Sequence, residues 1–279
     1  MALGLRGAAM KRPPRFIAVD LDGTVLVESV GLTRRTLAAF KSLKAGGLIP
    51  LVATGRPRKS AIRWVEALGA DSGLVCHNGA LVYDSTARIL TETTIPEATA
   101  RRLVEEARHI DVHFHGFAGD DWLYETIRPG TLRYEGRAAF PGLKVSFDDM
   151  PRLGFHKAMF VGTEEEAPLV AGRIRESLGE LLEVFPTGSG FVELVAPGIG
   201  KGKSLARLVE TLGGTMDEVI AFGDAWNDED MLLMAGIGVA MGNAPEELKT
   251  RIGRTTTTVA EDGVAVWLEE HFGLPAWRY

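Results

Sequence analysis

The sequence contains little cysteine, no long apolar run and no excess of positive charge. One of its 279 residues is a cysteine, Cys76, so no disulfide can form within the chain, and we expect a reducing, cytoplasmic location. No segment approaches the roughly 18 consecutive apolar residues that span a bilayer, so no membrane partner is predicted. The 31 basic residues are outnumbered by 37 acidic ones, and the net charge of −6 argues against a nucleic-acid partner.

The composition is that of a globular protein, with 46% hydrophobic and 24% charged residues. Residues 1–14 lack the apolar core of a secretory signal and are predicted to form a flexible tail. From Phe16 onward, short apolar runs alternate with helix-like segments, which predicts an α/β fold with a mostly parallel sheet. The length favours two domains, although one large domain is compatible with it.

The middle of the chain follows a different, mixed pattern that predicts an α+β segment. The simplest interpretation is one α/β domain, residues 15–84 plus 191–279, interrupted by an inserted domain at residues 85–190. A hairpin is predicted across residues 187–190, and the β-branched run at residues 255–259 is predicted to be a strand. Two histidines of the insert, His113 and His115, alternate on a predicted strand and could either bind a metal or occupy ordinary core or surface positions.

Three predicted strands of the α/β domain lead directly into polar residues. The residues at these three strand ends are Asp20, Thr54 and Asp224. In an open α/β sheet, ligands bind outside the carboxyl ends of the strands. If these strands are parallel neighbours, the three polar ends therefore face one crevice.

The first strand end carries two carboxylates, Asp20 and Asp22, separated by Leu21. Residues two apart on an extended chain point the same way, so both aspartates would face the crevice. Two close carboxylates repel each other unless a cation or a proton lies between them, and Mg²⁺ prefers such hard oxygen ligands. The alternative interpretation is a solvated acidic turn.

The other two strand ends carry oxyanion-binding and acidic groups. The triplet Thr54-Gly55-Arg56 offers a hydroxyl, main-chain donors and a guanidinium, although a turn with a surface arginine has the same pattern. After Asp224, the residues Asn227 and Asp228 could either complete a shared metal site or only cap the following helix.

A glycine-rich segment with two lysines, Lys201 and Lys203, opens a later helix. A Walker-type phosphate loop would require glycine at position 197, which is Pro197, so this class of nucleotide-binding site is excluded. What remains is either a helix start suited to a phosphate group or a flexible linker that re-enters the α/β domain.

Taken together, these motifs resemble those of the haloacid dehalogenase-like phosphohydrolases, and the nearest branch is the Cof-type subfamily. The resemblance covers most of the predicted α/β domain and consists of four short motifs in the family's order. These motifs are Asp20-Leu21-Asp22-Gly23-Thr24, Ala53-Thr54-Gly55-Arg56, Lys201-Gly202, and Gly223-Asp224 with Asn227-Asp228 and Met231. Three further turns match the branch, namely Asn78-Gly79-Ala80, Gly242-Asn243-Ala244 and Asp262-Gly263-Val264-Ala265.

The resemblance implies a Rossmann-like catalytic core with an inserted α/β cap that selects the substrate. It implies that Asp20 is the nucleophile and forms an aspartyl-phosphate, while Asp22 is the general acid and then the base. The implied phosphate-binding residues are Thr54, Gly55, Lys201 and Asn227. The implied Mg²⁺ ligands are Asp20, Asp22, Asp224 and Asp228. Asp22 would bind the ion through its main-chain carbonyl oxygen.

The resemblance also implies a function, a Mg²⁺-dependent phosphatase that hydrolyses a phosphomonoester of a small metabolite, such as a sugar phosphate or a phosphorylated cofactor. The expected partner is that metabolite alone, and the expected assembly is a monomer or homodimer. The alternatives are a phosphomutase of the same superfamily and a regulatory protein on an inactive phosphatase scaffold. At the third motif, Lys201 fits the family position better than Lys203 does.

Overall fold

The computed structural model describes residues 10–186 and 190–274. The chain divides into two compact units. The first lies within the ranges Met1–Gly55, Ala61–Leu90 and Gly200–Tyr279, and the second within Arg56–Ser60 and Thr91–Ile199.

A seven-stranded sheet forms the centre of the first unit. Its strands are β1 (Phe16–Val19), β2 (Ile49–Ala53), β3 (Gly73–Cys76), β4 (Leu81–Asp84), β5 (Ile89–Glu92), β12 (Val219–Gly223) and β13 (Ile237–Ala240). They are arranged in the order β13-β12-β1-β2-β3-β4-β5. The strands from β13 to β3 run parallel, and β4 pairs with β3 in the antiparallel direction. The predicted mostly parallel sheet is therefore confirmed.

Helices cover both faces of this sheet. They are α1 (Arg34–Ala45), α2 (Arg58–Leu68), α6 (Lys201–Thr211), α7 (Glu229–Met234), α8 (Glu246–Ile252) and α9 (Gly263–Phe272). Because side chains alternate along a strand, Ile17 and Val19 of β1 pack in one apolar cluster with α1, α2 and α9. Phe16 and Ala18 of the same strand pack in another cluster with α6 and α7. Burial on both faces explains why the strand segments are continuously apolar in sequence.

The second unit is built on a six-stranded, mostly antiparallel sheet. Its strands are β6 (His113–Ala118), β7 (Asp121–Tyr124), β8 (Leu143–Lys144), β9 (Lys157–Val161), β10 (Glu183–Pro186) and β11 (Phe191–Val195), in the order β10-β11-β9-β6-β7-β8. Its helices are α3 (Glu97–Arg108), α4 (Pro129–Ala138) and α5 (Glu166–Leu178). Side chains from α3 and α5 share one apolar cluster with the sheet, and those from α4 share a second. The predicted α+β character of the middle segment is confirmed.

Two strands belong to a different sheet from the one that the predicted domain boundaries assigned to them. Residues 191–195 were expected in the α/β domain, yet β11 lies in the six-stranded sheet because it pairs with both β10 and β9. Residues 89–92 were expected in the insert, yet β5 is an edge strand of the seven-stranded sheet. The strands of the predicted hairpin at 187–190 are present, while residues 187–189 lie outside the described residues, as does the predicted tail up to residue 9.

The predicted strand at residues 255–259 is wrong. Only Thr255 forms a bridge to the first sheet, opposite Ala240. The segment then leaves the sheet because Thr258 and Glu261 form a capping box that starts a 3-10 turn at Val259–Glu261.

The two histidines of the insert lie on β6 and are fully buried. The Nδ1 atom of His115 lies 3.1 Å from Nε2 of His113, and the second ring nitrogen of His113 lies 2.9 Å from the Thr131 hydroxyl. Among residues 10–186 and 190–274, the side chains that group as three candidate metal ligands lie in the first unit, and the two histidines are not among them. Of the two interpretations left open, the structure gives these histidines core positions.

Within the described part of the chain, none of the helices combines the length and the apolar content that crossing a membrane requires.

Candidate active site

The carboxyl ends of three neighbouring strands bring the predicted polar residues to one edge of the seven-stranded sheet. Strand β1 lies between β12 and β2, with Val19 opposite Phe222 on one side and Val52 on the other. The main-chain N–H of Asp20 donates to the carbonyl of Phe222 at 3.1 Å, which extends the pairing one residue beyond the strand. Asp20, Thr54 and Asp224 therefore follow adjacent strands, as their order in the sequence predicted.

Three carboxylates converge at this edge. One oxygen each from Asp20, Asp224 and Asp228 lies within 4.8 Å of the others. Asp20 is 5% exposed and Asp228 is completely buried, so neither charge is well solvated. Such a group needs a compensating cation or a proton.

Lys201 supplies one positive charge to this group. It is the first residue of α6, it is 1% exposed, and its Nζ lies 2.7 Å from Oδ1 of Asp20 and 2.6 Å from Oδ1 of Asp228. Lys203 is exposed on the same helix. The structure therefore places Lys201, not Lys203, beside the carboxylates.

Burial governs the protonation of these groups. It raises the pKa of Asp20 well above the ordinary value of 3.8, an effect that Lys201 opposes and the neighbouring carboxylates reinforce. Burial and the charge of Asp228 raise the pKa of Asp224 to about 7. Burial alone would lower the pKa of Lys201, but Asp20 and Asp228 outweigh that effect and raise it, so the lysine stays charged.

The side chains of Asp228 and Asn227 do not cap helix α7, whereas Asp228 closes a capping box at the start of the 3-10 turn Trp226–Asp228. The Oδ2 atom of Asp228 accepts main-chain N–H groups of Asp224 and Ala225, each at 3.0 Å, and so fixes the loop that carries Asp224. Helix α7 begins after a 3-10 turn at Trp226–Asp228 and receives no side-chain cap. The Nδ2 atom of Asn227 donates instead to Oδ1 of Asn78 at 3.0 Å.

The loop after β1 is shaped by close contact with Asp224. Leu21 is fully buried, as predicted, while Asp22 is partly exposed. Gly23 has a φ of +81°, and a Cβ atom there would lie 2.3 Å from Oδ2 of Asp224. This position therefore requires glycine on both conformational and steric grounds.

Two side chains that sequence reasoning left without a role hold Asp224 in place. The Thr24 hydroxyl donates to Oδ1 of Asp224 at 3.0 Å. The Nδ2 atom of Asn243 donates to the carbonyl of Gly23 at 2.9 Å and lies 3.3 Å from Oδ2 of Asp224. Asn243 lies three residues after β13, in the turn Gly242-Asn243-Ala244 that the family resemblance included.

A left-handed turn at His77–Gly79 borders the same edge of the sheet. His77 and Asn78 are buried with φ of 50° and 57°, and the Asn78 N–H donates to the carbonyl of Thr54 at 3.1 Å. Asn78 therefore connects Thr54 with Asn227, because its main-chain N–H contacts Thr54 and its side chain contacts Asn227. Backbone strain of this kind is often concentrated at functional sites.

Thr54 and Gly55 follow β2 at this edge of the sheet. Thr54 is fully buried, and its N–H donates to the carbonyl of Val75 at 2.9 Å. These contacts fix the main chain of Thr54 beside the site.

The donor set fits a hard divalent cation such as Mg²⁺. Three carboxylates lie beside one ammonium, and the pKa of Asp20 and of Asp224 is raised first by burial and further by the neighbouring carboxylates. Carboxylate and carbonyl oxygens are the ligands that Mg²⁺ binds in proteins. The residues that could hold Mg²⁺ are Asp20, Asp224 and Asp228. Asp22 lies two residues after Asp20 in the chain.

Comparison with known proteins places this chain in a family. Residues 17–268 match the haloacid dehalogenase-like hydrolases. An HMP-PP phosphatase from Serratia proteamaculans is 32% identical over 85% of this chain and 86% of its own length. The pyridoxal phosphate phosphatase YbhA from Escherichia coli is 30% identical, over 92% of this chain and 98% of its own.

A solved structure has the same fold. A haloacid dehalogenase-like hydrolase from Bacteroides thetaiotaomicron superposes with a TM-score of 0.80 at 28% identity, covering 92% of this chain and 99% of its own. Both curated relatives are phosphatases, in agreement with the predicted phosphoric monoester hydrolase. The chain therefore belongs to the haloacid dehalogenase-like hydrolases, the family that its motifs indicated.

Proposed function

We propose that the chain is a Mg²⁺-dependent phosphatase that hydrolyses the phosphomonoester of a small metabolite through an aspartyl-phosphate. The observation that carries this proposal is the position of Asp20. Its carboxylate follows strand β1, shares Lys201 with Asp228, and has an oxygen within 4.8 Å of an oxygen of Asp228 and of Asp224. This arrangement combines a nucleophile with the charges that a phosphoryl group requires.

In the first step, a carboxylate oxygen of Asp20 attacks phosphorus as the bond to the ester oxygen breaks. Asp22 donates a proton to the departing oxygen, so the alcohol leaves neutral. In the second step, the Asp22 carboxylate takes a proton from water, and that water attacks the same phosphorus. This attack breaks the bond between phosphorus and the Asp20 carboxyl oxygen, so inorganic phosphate leaves, Asp20 is again a carboxylate and Asp22 is again protonated.

Charge compensation is the main requirement of such a transfer, because the transition state carries negative charge on the phosphoryl oxygens. Lys201 contributes one positive charge, and Thr54, Gly55 and Asn227 supply hydroxyl, main-chain and amide donors. Mg²⁺ held by Asp20, Asp224, Asp228 and the carbonyl of Asp22 would supply the remaining positive charge.

The relatives support a small substrate for this chain. Their names give HMP-PP and pyridoxal phosphate as the molecules on which they act. We infer that this chain also acts on a small phosphorylated metabolite, with a phosphorylated cofactor or a sugar phosphate as the first compounds to test. A cytoplasmic location and a monomeric or homodimeric state stay predictions.

Phosphate release from p-nitrophenyl phosphate, pyridoxal phosphate and a set of sugar phosphates tests the proposal. We expect release with Mg²⁺, none with chelator, and a loss of at least about 10⁴-fold in Asp20→Asn. Asp217→Asn is the matched control, since Asp217 is a surface aspartate of the same unit paired with Lys11. Conversion of one sugar phosphate to its isomer without net phosphate release would identify a phosphomutase and overturn the proposal.

A further inference from the structure

The start of α6 is capped by a side chain from another helix. The N-cap position of α6 is Gly200, which has no side chain, and its first turn contains no acidic residue. The Oδ2 atom of Asp230, on α7, accepts the main-chain N–H of Gly202 at 2.9 Å and lies 3.4 Å from that of Lys203. The first turn of a helix leaves such N–H groups without partners, and a carboxylate is well suited to accept them.

Two glycines allow the close approach that this cap requires. A Cβ atom at Gly200 would lie 2.1 Å from Oδ2 of Asp230. A Cβ atom at Gly202 would lie 2.6 Å from the main-chain carbon of Asp230. Any side chain at either position would push α6 away from α7.

The clamped turn is the one that carries Lys201. Lys201 lies between the two glycines, and its Nζ reaches Asp228, which lies two residues before Asp230. Segment 228–230 therefore holds Lys201 in two places. Asp230 binds the main chain of the helical turn that contains Lys201, and Asp228 binds the Lys201 ammonium group. A shift of α6 along α7 would move Nζ relative to Asp20.

We propose that Asp230 is a positioning residue that sets the place of Lys201 beside Asp20. The catalytic part of this inference rests on the proposed phosphatase function, while the structural part concerns Lys201 alone. An ordinary helix cap would contribute to stability and leave the Lys201 ammonium where it is. The two roles are separated by a readout on Lys201 itself.

Three variants separate positioning from stability. Asp230→Ala removes the cap, and Asp230→Asn keeps an oxygen acceptor, because asparagine is also a good capping residue. Thr33→Ala is the matched control, since the Thr33 hydroxyl caps α1 of the same unit by accepting the N–H of Thr36 at 3.1 Å. All measurements are made at a temperature at which each variant is fully folded by circular dichroism.

The first readout is the ¹⁵Nζ NMR signal of Lys201, recorded with chelator present and assigned by its loss in Lys201→Met. Its ammonium is 1% exposed and paired with two carboxylates, so its protons should exchange slowly with water. We expect Asp230→Ala to shift or broaden this signal, and Asp230→Asn and Thr33→Ala to leave it in place.

The second readout is steady-state kinetics with Mg²⁺ and p-nitrophenyl phosphate. We expect Asp230→Ala to lower kcat about 10- to 100-fold with little change in KM. The reason is that a misplaced Lys201 stabilises the transition state less, while substrate binding is little affected. Asp230→Asn should recover kcat to within about 3-fold of wild type, and Thr33→Ala should match wild type.

An unchanged Lys201 signal in Asp230→Ala would overturn the positioning role. A changed signal with unchanged kcat would overturn its catalytic part. If the wild-type chain released no phosphate from any ester, the proposed function would fail, and the NMR comparison alone would decide whether Asp230 positions Lys201.

Discussion

Lys201 is buried between two carboxylates, with its ammonium nitrogen 2.7 Å from Asp20 and 2.6 Å from Asp228. Burial opposes its charge, yet these two neighbours raise its pKa, so the lysine and its partners form one interdependent group. Removing one partner of a buried ion pair leaves an uncompensated charge, which costs more than the pair contributes. The ammonium that holds these two carboxylates together is therefore also the positive charge that is proposed to bind phosphate.

Lys201→Ala should lower the free energy of unfolding of the metal-free chain by about 3–5 kcal/mol at neutral pH, because two buried carboxylates lose their cation. Lys203→Ala, on the exposed side of the same helix, should change it by less than about 0.5 kcal/mol. Urea unfolding of both variants measures the difference. Equal effects of the two substitutions would contradict the assignment of Lys201 to the site.

At the scale of elements, the left-handed turn at His77–Gly79 fixes the spacing between the sheet and α6. Gly79 has a φ of +103°, and its carbonyl accepts the hydroxyl of Ser204 at 2.7 Å. A Cβ atom at Gly79 would lie 2.4 Å from the carbonyl oxygen of Gly200, immediately before Lys201. The turn therefore limits how α6 can approach the site.

Gly79→Ala should destabilise the protein more than a positive φ alone accounts for. Gly47→Ala is the control, because Gly47 has a φ of +89° and nothing lies within 4 Å of a Cβ atom there. We expect about 1–2 kcal/mol for Gly47→Ala from backbone conformation, and about 1–3 kcal/mol more for Gly79→Ala from the clash. Similar midpoints of urea unfolding for the two variants would show that the turn does not constrain α6.

The site was predictable where it depends on the ends of strands. Asp20, Thr54 and Asp224 follow apolar runs, and the parallel sheet brings such ends together without further information. The contacts of Asp230 with α6 and of Asn227 with Asn78 were not predictable in this way. They join segments distant in sequence, and each side chain also has a plausible local role as a helix cap or turn residue.

The elements that sequence reasoning missed or misplaced have local causes. The run at 255–259 has the β-branched composition of a strand, but the capping box of Thr258 and Glu261 directs the chain into a turn. Strand β11 was assigned to the wrong domain because its apolar pattern does not specify which sheet it joins. Composition predicts that a segment is a strand, whereas pairing depends on partners far along the chain.

At the scale of the whole molecule, each unit has its own apolar clusters, and the carboxylate group belongs to the first unit. Folding of that unit brings the three acidic side chains together beside Lys201. A ligand that binds only the folded state stabilises it by mass action. We therefore expect the stability of the chain to depend on both pH and Mg²⁺.

The stabilisation by Mg²⁺ should increase with pH. The pKa of Asp224 is raised from 3.8 to about 7, so its stabilising contribution is complete below about pH 4 and is lost as pH rises through 7. Mg²⁺ binds the charged form and replaces that proton. At about 100 times Kd we expect a gain of about 2.7 kcal/mol near pH 8 and less than about 1 kcal/mol near pH 5.5.

Urea unfolding with MgCl₂, and with NaCl at matched ionic strength, measures this gain at each pH. The Asp224→Asn variant should show little gain at either pH, because it lacks one of the three carboxylates. A gain that is equal at both pH values would contradict the role of a raised carboxyl pKa in metal binding.

Trapping the phosphorylated enzyme shows whether Asp20 is the nucleophile. The wild-type chain is mixed with p-nitrophenyl phosphate and Mg²⁺, quenched in acid during turnover, digested at low pH and analysed by mass spectrometry. We predict one phosphoryl group on Asp20, none with chelator present, and none in Asp20→Asn. A phosphoryl group on another residue, or undiminished turnover by Asp20→Asn, would contradict the account.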